Sequence, residues 1–334
     1  MISFEDCYER VFENKNNLIG EISHFRVPAN VEKGFNFDYV LMIPKGIKDN
    51  TSLIYEGMNY STSKNFTEEE AIDYIYENSK SFRNPIFKCN SKKNYPVLTP
   101  LIPRYYDNNL SSEVFTTQLS STCLLNNIDE KYKRIDNQII NMIDDAIERL
   151  SKNGIIVDKR IIIHGFSSSA KFANRFTLLH PSRVKLCIAG GLAGCLTLPM
   201  RKIDGEKLIY PIGIGNVEEI TDEMIDQFKS IKQYYYQGKD DKIDAFSSTK
   251  DDNYEPYFKS IITQDELIVL YKVFGRKIET RWIKTQNYYN SICNNVLFKT
   301  YNGGHEETDE IINDISLLLN EWYFICYIIC HFLL

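Results

Sequence analysis

Apolar positions along this chain come in short blocks that switch between two periods. Residues 160 to 164, Arg-Ile-Ile-Ile-His, hold three consecutive β-branched residues, the composition of a short strand buried on both faces. Past them, Ala170, Phe172, Ala173, Phe176 and Leu179 recur at helical spacing. Residues 35 to 44 predict an early strand that ends at Pro44, and Ser52 to Glu56 predict another that breaks at Gly57-Met58-Asn59. Pro96 to Pro103 predict a further apolar strand, limited in length by Pro100. Val184–Ala189, Gln233–Gln237 and Val296–Tyr301 complete the strands. Helical patterns fill the gaps. Residues 66 to 80 open on the acid-rich turn Thr67-Glu-Glu-Glu and continue through Ala71, Ile72 and Ile75. Residues 136 to 152 are amphipathic and end before Gly154, and Thr308 to Leu319 form the last helix.

Strands alternating with helices over most of the chain place it in the α/β class, with a mainly parallel central sheet covered by helices on both faces. Two stretches interrupt the alternation. Residues 190 to 230 contain Gly190-Gly191, Pro199, Pro211 and an amphipathic stretch around Met224, and residues 245 to 292 read as largely helical. No internal repeat or low-complexity linker divides the chain. The expected layout is an N-terminal extension (1–34) packed on the core, one domain over 35–320, and an apolar C-terminal tail (321–334).

Composition narrows the partners. The chain has 334 residues, 43% hydrophobic and 25% charged, with a formal charge of −6. That balance suits a globular domain, and the net acidity with no basic stripe argues against nucleic acid or an anionic membrane surface. Cys7, Cys89, Cys123, Cys187, Cys195, Cys293, Cys326 and Cys330 lie far apart with no Cys-x-x-Cys pair, so zinc and redox sites are not indicated. The start, Met1-Ile-Ser-Phe-Glu-Asp, carries acids where a secretion signal has a basic start and an apolar run. Reduced thiols in a cytoplasm are therefore expected. Residues 322 to 334 are almost all apolar yet too few to span a bilayer, so a buried or disordered tail is expected, with a tail anchor or interfacial membrane contact as the alternative.

Candidate chemistry begins where the isoleucine strand stops. Gly165-Phe166-Ser167-Ser168-Ser169-Ala170 places a serine at a sharp turn between a buried parallel strand and a helix, the layout of a nucleophile elbow. Small residues must flank such a turn, and Gly165 and Ser169 are small, although the last motif position is usually glycine. The helix N-terminus behind Ser167 turns N–H groups towards any negative charge forming at the hydroxyl. A plain Ser-rich helix cap would use the same residues.

A serine hydroxyl needs a base, usually histidine, and the base needs a carboxylate to hold its tautomer. Of five histidines, His24, His164, His180 and His331 lie ahead of the core, before the elbow, at a helix end and in the tail. His305 alone follows a late strand, in Tyr301-Asn302-Gly303-Gly304-His305, where two glycines permit a tight loop. The carboxylate should leave the sheet between serine and histidine. Gly238-Lys239-Asp240-Asp241-Lys242-Ile243-Asp244 supplies three acids just past a strand, with Asp241 preferred, Asp244 second and Asp240 third. His305-Glu306-Glu307-Thr308-Asp309 begins like the zinc motif His-Glu-x-x-His, but Asp309 occupies the position of the second imidazole. Gly213-Ile-Gly215 has no third glycine and no following helix to make a dinucleotide site.

With Gly165-Phe-Ser-Ser-Ser-Ala, Phe172-Ala-Asn-Arg-Phe…His180-Pro181, Gly238-Lys-Asp-Asp241 and Gly304-His305 in view, the chain resembles the α/β-hydrolase superfamily over residues 35 to 320, close to its esterase and polyhydroxyalkanoate-depolymerase-like branch. The resemblance implies a serine hydrolase acting on a carboxylic ester or related acyl compound, with Ser167, Asp241 and His305 as triad and an acyl-enzyme intermediate. It implies no metal and no organic cofactor. Oxyanion donors would be the N–H of Ser168 and one from the Gly57-Met58-Asn59 loop, with Met58 favoured, although this loop lacks the His-Gly-Gly signature. The substrate would be a small molecule or short acyl compound. Leu196, Leu198, Met200, Tyr210, Tyr254 and Tyr257, in the cap-like stretches, suggest a partly apolar one. A serine peptidase or amidase on the same fold, or a binding protein that kept the fold without catalysis, are the alternatives. The oligomeric state is left open.

Overall fold

The computed structural model describes residues 7–13, 21–47, 51–57, 59, 67–79, 85–90, 94–102, 118–124, 130–250, 255–256 and 261–319. Nine strands form one sheet: β1 (Tyr8–Glu13), β2 (Glu21–Val27), β3 (Tyr39–Pro44), β4 (Ile54–Glu56), β5 (Val97–Pro100), β6 (Ile161–Phe166), β7 (Val184–Gly190), β8 (Lys232–Gly238) and β9 (Val296–Tyr301). Their spatial order is β1-β2-β3-β5-β4-β6-β7-β8-β9. From β5 through β9 every neighbouring pair is parallel. The first three strands join antiparallel at the β5 edge. The mainly parallel α/β architecture expected from the pattern is what the chain adopts.

Side-chain alternation divides the core into two layers. Ile161 and Ile163 of β6, Cys187 and Ala189 of β7 and Tyr235 of β8 pack on one face. Helices α3 (Ile135–Lys152), α4 (Ser168–Leu179) and α7 (Ile278–Ile292) cover it. Ile162, Leu186, Ile188, Tyr234 and Tyr236 point to the other face, under α1 (Glu68–Ser79), α2 (Pro85–Asn90) and α8 (Asp309–Leu318). Each central strand is thus apolar at successive positions because both its faces are buried. The interrupting stretches carry α5 (Asp222–Ser230) and α6 (Gln264–Phe274), the latter opened by a Thr263–Glu266 capping box.

Some boundaries move. Residues 35 to 38 stay outside β3, because Asn30 and Phe35 bridge across a turn in which Gly34 takes φ +87°. The Pro96–Pro103 strand shortens to β5, and Leu101 N–H turns to the carbonyl of Asp38. Cys89, Cys187, Cys195 and Cys293 are free thiols. Among the described residues no helix is long and apolar enough to cross a membrane, and the tail from 320 onward lies outside them.

At the start of α3, buried Asp136 accepts hydrogen bonds from Arg134 Nη2 (2.7 Å) and from His180 Nε2 (2.9 Å). Burial alone would raise its pKa, but the partners His180 and Arg134 outweigh it and hold the carboxyl at about 2, against the usual 3.8. A depressed carboxyl stabilises the fold above its unfolded pKa and stops doing so as pH falls through the folded value. Urea unfolding should therefore show about 2 kcal/mol of stability lost between pH 4 and pH 2 from this group. Asp136→Asn should remove that contribution and flatten the same window; an unchanged slope in the variant would assign the loss elsewhere.

Candidate active site

Strand β6 ends at Phe166 and α4 starts at Ser168, so Ser167 is the single residue of the turn between them. Its backbone sits at φ 61°, ψ −118°, a conformation that costs a non-glycine residue about 1–3 kcal/mol. The turn is held from outside: Ser167 N–H donates to the carbonyl of Gly190 at 2.8 Å. Close packing explains the small neighbours. A Cβ on Gly165 would lie 2.3 Å from the carbonyl oxygen of Ser169. Ser169, where glycine is usual, is accommodated by Gly57, on which a Cβ would come within 2.5 Å of the Ser169 Cβ. The Ser169 hydroxyl accepts from Phe166 N–H (3.0 Å) and from Asn59 Nδ2 (3.1 Å), and Asn59 Oδ1 accepts Ser169 N–H at 2.9 Å. Asn59 therefore fastens the loop after β4 to the elbow, a role that no local sequence signal assigns to it.

His305 lies in the loop after β9. Its Nε2 is 2.8 Å from Ser167 Oγ and its Nδ1 is 2.8 Å from Asp241 Oδ2. The histidine and two side chains 64 and 138 positions from it in sequence thus form one hydrogen-bonded line at the carboxyl edge of the parallel strands. The loop is set against the end of β8: Lys239 N–H donates to the Tyr301 carbonyl and Asp240 N–H to that of Gly303, both at 2.9 Å. A Cβ on Gly238 would meet the Gly304 carbonyl oxygen at 2.1 Å, so a glycine there is what admits the loop. Phe166 packs against the imidazole with ring centroids 4.8 Å apart.

Asp241 is the acid that meets the histidine. Its Oδ2 also accepts from Gln237 Nε2 (2.7 Å), and its Oδ1 from Ile243 N–H (2.9 Å). Burial pushes its pKa up, but these bonds, that from His305 first, hold it below the usual carboxylate value. Asp244 is turned elsewhere, with Oδ1 at 2.6 Å from Arg281 Nη2, and Asp240 is exposed. The Asp241 side chain is 0% exposed and that of His305 20%, so the acid is shielded while the imidazole stays within reach of a ligand.

Ser168 is the first residue of α4, where helix geometry directs the N–H out of the helix end, and its hydroxyl accepts from Gln118 Nε2 at 2.8 Å. Met58 lies outside the described residues, as do Tyr254 and Tyr257. Leu196, Leu198 and Tyr210 are at most 1% exposed within the main core, so they serve packing rather than an open substrate pocket. Gly213 and Gly215 are packing glycines, each with neighbouring atoms within 2.6 Å of a would-be Cβ. No group of three or more His, Cys, Asp or Glu side chains among the described residues is arranged to hold a metal ion. A cavity of about 720 Å³ lies at the opposite edge of the sheet, bounded by Arg160, Val184 and Lys232 at the strand starts, and holds none of the three residues.

No family model and no curated protein matches this sequence. Solved structures do resemble the fold. The poly(3-hydroxybutyrate) depolymerase LpqC from Bordetella parapertussis superposes with TM-score 0.52 at 10% identity, over 90% of this chain and 88% of that one. Poly(aspartic acid) hydrolase-1 from Sphingomonas sp. KT-1 gives 0.49 at 13% identity, over 95% and 97%. An S-formylglutathione hydrolase from Agrobacterium tumefaciens gives 0.41 at 12%, over 94% and 98%. The fold is that of the α/β-hydrolases.

Proposed function

We propose that this chain is a serine hydrolase that cleaves a carboxylic ester or related acyl compound through an acyl-enzyme. The observation that carries the proposal is the line Ser167 Oγ–His305–Asp241, closed by two contacts of 2.8 Å. His305 Nε2 takes the hydroxyl proton as Ser167 Oγ attacks the carbonyl carbon, and Asp241 stabilises the imidazolium that forms. The oxyanion draws on Ser168 N–H and a second donor from the loop after β4, each such donor worth about 3 kcal/mol in the transition state. His305 then protonates the leaving alcohol, whose bond to the acyl carbon breaks. Water attacks the acyl-enzyme with His305 again as base, releasing the acid and restoring Ser167. No step calls for a metal or organic cofactor. Esters are preferred to amides because LpqC, one of the fold neighbours, is a poly(3-hydroxybutyrate) depolymerase.

A fluorophosphonate probe followed by peptide mass spectrometry should place the label on Ser167, and a panel of short-chain esters, thioesters and aminoacyl amides should show esters turned over fastest. Absence of label, or label on another serine, removes the nucleophile assignment. Faster cleavage of the amides would convert the reading to an amidase.

A further inference from the structure

Beneath the elbow, on the sheet face away from α4, lies a polar cluster that the proposed chemistry does not use. His164 of β6 is 0% exposed, Glu56 at the end of β4 is 5%, Tyr236 of β8 is 0%, and the Glu307 side chain is 7%. His164 Nδ1 lies 2.5 Å from Glu56 Oε2, and its Nε2 lies 3.2 Å from Glu307 Oε1. Tyr236 Oη donates to the same Glu307 oxygen. With a carboxylate at each ring nitrogen, only the doubly protonated imidazole donates at both ends. Burial alone would lower the His164 pKa, but Glu56 and Glu307 outweigh it and push it up to about 10.

The fold gives up side-chain volume to build this cluster. Strand β7 lies between β6 and β8, and a Cβ on its Gly190 would sit 1.9 Å from Tyr236 Cε2. The tyrosine ring crosses β7 only because residue 190 is glycine. Buried ion pairs are no more stabilising than apolar packing of similar volume, since desolvation offsets their attraction. A core alone does not require such a cluster. What it supplies is fixed geometry, and its members are spaced to use it. Glu56 directly precedes the loop carrying Asn59, His164 is three residues before Ser167, and Glu307 is two residues after His305. Gly303 and Gly304 fix the imidazole from its near side, where Asp240 N–H holds the Gly303 carbonyl, and Glu307 supplies an anchor on its far side.

We infer that Glu307, clamped by His164 and Tyr236 in a cluster shared with Glu56, is a positioning residue that holds His305 in line with Ser167 Oγ. The inference rests on the serine-hydrolase reading above. Glu307→Ala leaves His164 paired with Glu56, whereas Glu307→Gln keeps an oxygen for Tyr236 and His164. On the best ester of the panel, E307A should lower kcat by about 10- to 100-fold with KM within about twofold, as expected when a reacting group is displaced by a fraction of an ångström. E307Q should recover most of kcat, and the fluorophosphonate labelling rate should follow kcat in both variants. If E307A fails to fold, Tyr236→Phe removes only one clamp and should lower kcat several-fold in the same sense. Wild-type kcat in a folded E307A, an equal change in kcat and KM, or an E307Q as impaired as E307A would overturn the positioning role. The two levels separate cleanly: an unlabelled Ser167 in wild type sinks the serine-hydrolase reading itself, whereas labelling at equal rates in wild type and E307A sinks only this inference.

Discussion

Replacing Ser167 by alanine is expected to lower kcat on an ester substrate by about 10⁶-fold while leaving the fold intact, because removal of a triad nucleophile by itself costs about as much as removal of the whole triad. The structural part of that expectation comes from the turn. Alanine keeps the Cβ and the N–H that donates to the Gly190 carbonyl at 2.8 Å, so the connection between β6 and α4 survives. The melting temperature should stay close to wild type. Ser167→Gly should be equally inactive yet more stable by about 1 kcal/mol, since glycine enters the region of φ 61° without the steric penalty. A stable, inactive glycine variant would show that strain is maintained at this position for chemistry. If S167A retained more than about a hundredth of wild-type activity, another nucleophile would have to be at work.

The second large effect is expected from Asp241→Asn, which should reduce kcat by about 10⁴-fold near neutral pH with little change in KM. The carboxylate accepts at both oxygens: His305 Nδ1 and Gln237 Nε2 at Oδ2, Ile243 N–H at Oδ1. An asparagine has one acceptor oxygen and one NH₂ donor, so some donor must face a donor. If the amide oxygen stays with Ile243, the NH₂ faces His305 and imposes the tautomer with the proton on Nε2, where it cannot accept from Ser167 Oγ. If the oxygen turns to His305 instead, Ile243 N–H is left facing NH₂ in a partly buried site, which lowers stability. Steady-state kinetics with a thermal melt distinguish the two. Full activity in D241N with an unchanged melting temperature would rule out this residue as the one orienting the imidazole.

Much of this was legible in the chain. Three isoleucines before a small-residue turn mark β6 and the elbow, and the order serine, acid, histidine, each past a strand, brings Ser167, Asp241 and His305 to one edge. The sequence ranks Asp241 ahead of Asp244 by its place after the strand end alone; in space the two are separated by Arg281, which draws Asp244 away. Leu196, Leu198 and Tyr210 misled as pocket residues, since apolar composition does not distinguish a lining from a core. In the sequence His164 is simply a strand residue ahead of the elbow. Its partners stand 108 and 143 positions away, and no local pattern announces a pairing made across strands β4 and β6 and a loop beyond β9.

One substitution in the elbow has a consequence for how such turns are found. Where a third small letter is normally glycine this chain has Ser169, and the missing volume reappears across the contact at Gly57. The constraint belongs to the gap between two segments rather than to either one. A pattern search that demands glycine after the nucleophile will pass over chains in which the vacancy has migrated to the facing strand end, and such chains are better sought by the sum of the two side-chain sizes.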